Sequence, residues 1–113
     1  MILVLVAGTR VSAQQKMTIT EMANYQTETM INELALDEKQ TEKVASINLK
    51  YSAKMVVLME AEGSMFGKMG DMKKIKQNKS DELKMVFTPE QFEKYEDDVA
   101  PSIRKHMRKN MKM

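Results

Sequence analysis

The chain has 113 residues, with 18 Lys and Arg against 16 Asp and Glu, a formal net charge of +2, 13 methionines, and neither cysteine nor tryptophan. That length holds one small domain. The missing cysteines exclude disulfides, thiolate metal sites and cysteine nucleophiles, and the nearly balanced charge argues against a dedicated nucleic-acid binder.

The first apolar run is Ile2 to Gly8, too short to span a bilayer. Ser12 and Ala13 follow it, ahead of Gln14 and Gln15, and resemble a secretory cleavage site. No Lys or Arg precedes the run, which a signal peptide truncated at its start would explain. Residues 1–13 are therefore read as a signal peptide and 14–113 as one exported domain. No later segment is apolar enough for membrane insertion once the signal is removed.

Thr18 to Leu36 reads as a first helix. Thr18 or Thr20 can cap it, and Glu21 in the first turn suits the helix dipole. Asp37 caps a second helix, in which Val44, Ile47, Tyr51, Met55, Leu58 and Met59 form a core-facing stripe. Nothing breaks this helix before Gly63, so about 25 residues, roughly 37 Å at 1.5 Å each, are predicted. Its end, Met55 to Met59, is apolar all round, which calls for two packing partners or an exposed patch with a use.

Gly63, Gly67 and Gly70 alternate with Met65, Phe66, Met69 and Met72. The glycines predict a bend or a loosely helical connector. A helix can resume from Asp71 to Met85, with a break at Asn78 to Asp81. Thr88 opens the last helix, with Phe92, Tyr95, Val99, Ile103, Met107 and Met111 at spacings of three and four. Pro101 falls inside it, predicting a bend near Val99 or a restart. The tail from Arg104 is basic and Met-rich and is expected to fray.

Two of these helix starts are copies of one pattern, apolar-cap-x-x-Gln. Leu36, Asp37 and Gln40 form the first copy; Phe87, Thr88, Pro89, Glu90 and Gln91 form the second. In each, the cap takes an amide of the first turn and the glutamine can reach back to the cap's own N–H, closing a capping box. Pro89 suits the first helical position, where its missing N–H costs nothing. Two such starts point to a helical hairpin repeated. Charge also divides the mature chain: it is acidic on balance before Gly63 and basic after it. Such asymmetry is compatible with antiparallel self-association.

With these motifs the chain resembles the LTxxQ-motif family of small periplasmic helical proteins (Spy/CpxP-like), in which Leu-Thr-x-x-Gln occurs twice at helix starts. Here Asp37 replaces the threonine of one copy and Phe87 the leucine of the other. The resemblance covers roughly residues 36–95. It implies an all-α fold of about four helices in a long hairpin arrangement, and a cradle-shaped antiparallel homodimer in the periplasm. It also implies an ATP-independent chaperone, an envelope-stress modulator or a metal-responsive protein. The motif residues would support the fold and form no catalytic site.

Catalysis has little support in the residues. The single histidine, His106, lies in a basic tail, and the three glycines lack the Lys-Ser/Thr of a phosphate loop. The chain is read as no enzyme, with no cofactor and no assigned metal ligand. Met65, Met69 and Met72 are spaced to share a helical face, and His106, Met107 and Met111 form a second candidate cluster. Thioethers suit Cu(I), although Met as a core filler is the preferred reading.

Met-rich surfaces also suit promiscuous recognition, because unbranched polarisable side chains re-pack against many partners. The expected function is capture of unfolded or damaged envelope proteins. The expected surface comprises Met55, Leu58, Met59, Met65, Phe66, Met69 and Met72, with Lys68, Lys73 and Lys74 steering. The alternatives are a metal-binding or metal-sensing protein (Cu or Zn) of the same fold and a regulator that docks on a sensor kinase.

Overall fold

The computed structural model describes residues 17–111, with side chains to Lys109. The expected signal peptide, residues 1–13, lies outside the described residues. Within them the protein is all-α, without strand. Its elements are α1 (Ile19–Leu34), α2 (Glu38–Glu60), α3 (Met65–Val86), α4 (Pro89–Lys94), a π-helical segment (Tyr95–Val99) and α5 (Ala100–Met111). The last three run on as one helix, so the described residues form four helices, the number the resemblance implies.

Local chemistry sets the starts. Thr18 accepts from the Glu21 N–H at 3.0 Å, and Glu21 Oε1 accepts from the Thr18 N–H at 2.9 Å. The same reciprocal box closes between Asp37 and Gln40 and between Thr88 and Gln91. Each box pairs two amides that a helix start would otherwise leave unpaired. α1 stops two residues short of the predicted Leu36 because Ala35 turns left-handed, with φ 54°.

Two expectations change in α3. The expected bend is confined to the turn at Gly63, and Asn78 to Asp81 is not a break: one helix of 22 residues, starting at Met65, takes in the other two glycines and that segment. Only Gly63, at φ +120°, lies in the turn where its conformation is needed. Ser64 then caps the Gly67 N–H at 3.0 Å and starts the helix before the remaining glycines. Further along, side-chain contacts to other helices hold what propensity alone would leave weak. Glu82 binds Lys50 at 2.8 Å and accepts from the Tyr51 hydroxyl, and Lys79 donates to Gln26.

Pro101 produces neither a break nor a capped restart. In a regular helix its ring would clash with the Asp97 carbonyl four residues back. The π-helical segment changes the register there: the Ala100 N–H bonds to Tyr95 O, five residues back. The helix then continues to Met111.

α1, α2 and α3 pack as successive antiparallel neighbours, and the last helix returns against α1. The core is built from Met30 and Leu34 of α1, Val44, Ile47 and Tyr51 of α2, and Leu83 and Phe87 at the end of α3. Tyr95, Val99 and Ile103 of the last helix complete it. This core sits where the two glutamine motifs meet. Gln40 Nε2 donates to Gln91 Oε1 at 2.7 Å and to Val86 O at 3.1 Å, while Gln91 Nε2 donates to Leu34 O at 3.0 Å. Each glutamine thus completes its own box and ties down the C-terminal end of the helix preceding the other motif.

The molecule measures 44 × 40 × 20 Å, with a radius of gyration of 15.5 Å. A compact chain of this length would have about 13 Å. The excess comes from the hairpin of α2 and α3, which extends beyond the core. Buried positions in α2 end at Ser52, and those of α3, Lys68 apart, begin only at Leu83.

Candidate functional site

The outer half of the α2–α3 hairpin is the candidate site. α2 carries its apolar run to the end, and the turn through Gly63 brings α3 back beside it. The tip is closed by Lys68, whose ammonium donates to Met59 O at 3.1 Å and Ala61 O at 2.6 Å. Carbonyls at a helix C-terminus lack amide partners and carry partial negative charge, so a lysine there satisfies both needs. Lys68 is buried in this role and does not face solvent as a steering charge. That corrects the part assigned to it from sequence.

The other expected surface residues fall into two groups. Met59, Met65, Phe66 and Met69 are exposed, Phe66 to 85%. Met55, Leu58 and Met72 are half-buried along the hairpin. Lys73 and Lys74 are exposed, as steering charges must be. Val57, 68% exposed, belongs to the same surface. It was legible as part of the run that is apolar on every side, but it lies off the stripe that periodicity selects. An open cleft of about 350 Å³ is lined by Met69, Gly70, Met72, Lys73 and Lys76, so its walls are thioethers and lysine stems.

The residues of the two motifs lie at the opposite end. Phe87 is buried, Leu36 packs against the core, and Asp37 and Thr88 cap. Pro89 occupies the first turn of α4 and Glu90 is exposed beside it.

Between the two ends lies a polar layer. Asn48 Nδ2 donates to Thr27 Oγ1 at 2.9 Å, and Gln26 Nε2 donates to Ser52 Oγ at 3.3 Å. Lys79 donates into it from α3, and burial pulls its pKa down to about 8. Alongside, Glu82 is held below the usual carboxylate range, first by its hydrogen bond from Lys50 and then by that from Tyr51. The bond to Glu82 in turn pushes the Tyr51 phenol up to about 12. These groups pin the base of the hairpin to α1 and leave its outer half without a covering layer. Among the described residues no group of three His, Cys, Asp or Glu side chains is placed to hold a metal ion. No helix among them is long and apolar enough to cross a membrane.

What the arrangement offers chemically is adhesion: flexible apolar side chains, lysines around them, and no convergent acid, base or nucleophile among the expected residues. A family model described as a domain of unknown function (DUF4890) matches residues 7–95. No curated protein and no solved structure matches the chain.

Proposed function

The chain belongs to the DUF4890 family, and from the geometry of its hairpin we propose that it is an ATP-independent periplasmic chaperone or envelope-stress protein. It captures unfolded or damaged envelope proteins. The observation that carries this reading is the concentration of exposed apolar side chains, Val57, Met59, Met65, Phe66 and Met69, on a hairpin tip away from the core. A contiguous apolar patch on a charged chain marks an interaction surface. Methionine makes that surface adaptable. Lys73 and Lys74 bring acidic unfolded segments towards it. The paired glutamine motifs support kinship with the LTxxQ-motif proteins, and with it export and a working homodimer, which sedimentation would measure.

The test is suppression of aggregation of an unfolding client by the full chain, without ATP and with a chelator. Light scattering is expected to fall. It is expected not to fall when Met65, Phe66 and Met69 are all replaced by Ser. Because the three side chains are exposed, the variant's far-UV circular dichroism should match the parent. Undiminished protection by the variant would sink the assignment of this surface.

A further inference from the structure

The structure turns a stretch that reads as a connector into regular helix, and this changes what its methionines can do. In α3, Met65, Met69 and Met72 stand at i, i+4 and i+7. At 100° per residue the three side chains fall within an arc of about 60°, each near enough to its neighbour to share a contact. Met65 is 55% and Met69 57% exposed; Met72 is half-buried and lines the cleft with Met69. Three methionines filling a core would not be arranged so. Their thioethers are free to converge, because each has three rotatable bonds and little packed around it.

We propose that Met65, Met69 and Met72 form a binding site for a soft monovalent metal ion, Cu(I) or Ag(I). Three neutral thioethers select for soft, monovalent ions and offer little to Zn(II), Ni(II) or Mg(II), which need imidazole, thiolate or carboxylate. The described residues hold no group of three such ligands. Lys73 and Lys76 beside the cleft add to the selection, since their repulsion doubles for a divalent cation. The site shares Met65 and Met69 with the proposed client surface but does not depend on that reading.

Leucine isolates the role of the sulfur. It keeps the volume and apolarity of methionine and its helix propensity, but has no sulfur. The full chain is titrated anaerobically with Cu(I) delivered as its weakly held acetonitrile complex, and separately with silver nitrate. One equivalent is expected to bind with a dissociation constant of about micromolar or tighter. The Met65→Leu/Met69→Leu/Met72→Leu variant should lose about tenfold or more in affinity, since it removes all three thioether ligands. Met85→Leu, at a lone exposed methionine, should bind as the parent does, and Zn(II) should not compete.

The proposal is overturned if the parent takes no Cu(I), or if the triple leucine variant binds like the parent. It is also overturned if a Met107→Leu/Met111→Leu variant is the one that loses the ion. Failure of the chaperone reading would look different: the parent would leave scattering unchanged while the metal titrations of parent and leucine variant still differ.

Discussion

Lys79 donates its ammonium to Gln26 in a layer that also holds Thr27, Asn48 and Ser52. Burial disfavours its charged form and lowers its pKa from 10.5 to about 8. Between those values the unfolded chain binds more protons than the folded one, so stability rises with pH across that window. Below pH 8 the cost of the buried charge is present in full. Equilibrium urea denaturation should show a gain of about 1–2 kcal/mol between pH 7 and pH 9.5. Lys79→Met should abolish that slope and stabilise the protein at pH 7. Tyr51 and Tyr95, with phenols raised to about 12, lose stability only above pH 10, where the unfolded chain ionises first. A parent curve that stays flat to pH 9.5 would contradict the desolvation of the Lys79 ammonium. Nothing in the sequence distinguishes Lys79 from Lys73, Lys74 or Lys76. The desolvation of its ammonium depends on where Gln26 of another helix lies.

At the scale of elements, the pair Gln40 and Gln91 explains why one pattern occurs twice. A capping box needs only its own four residues, and either copy would start a helix alone. In the fold each amide also bridges to the other copy and to the end of a preceding helix. These extra bonds are long-range and lie outside what a five-residue pattern specifies. Gln40→Ala and Gln91→Ala should each cost about 1–3 kcal/mol, since each leaves partly buried partners unpaired. The double variant should fall short of their sum by about 1 kcal/mol, because the two share a bond. Urea denaturation of the four chains measures this, and strict additivity would mean that the glutamines act only as separate caps. The last helix carries a related lesson. Pro101 signals a disturbance in any sequence reading. That the disturbance is a π-helical segment follows from the core, which takes Tyr95, Val99 and Ile103 on one side of a continuous helix.

The whole molecule divides into a packed end and an open one. Val44, Leu83 and Met30 have no exposed surface, whereas the first half of α3 buries only Lys68 and contains two glycines. Each interior glycine weakens a helix by about 1 kcal/mol relative to alanine. Regions with few buried contacts open at lower free energy than the core. Amide hydrogen exchange should therefore be faster for residues 66–77 than for residues 44–51, by about a hundredfold or more for a difference near 3 kcal/mol. Equal protection would mean that the hairpin tip is packed against something. A tip that opens readily, with flexible apolar side chains, is also what an adaptable client surface requires.

Three of the four helix starts, helix periodicity and the all-α class were determined by the sequence alone, because a cap acts over four residues and an amphipathic stripe over a few turns. Thr18, Asp37 and Thr88 each read correctly for that reason, and Met59, Met65, Phe66 and Met69 could be named before any fold was known. The tertiary structure decided the continuity of α3, the coupling of Gln40 to Gln91, the inward turn of Lys68 and the docking of the Lys79 ammonium on Gln26. Each of these is a balance between a weak local preference and a contact from a distant helix. Such a contact is worth as much as the preference it opposes, and it exists only once the chain has closed.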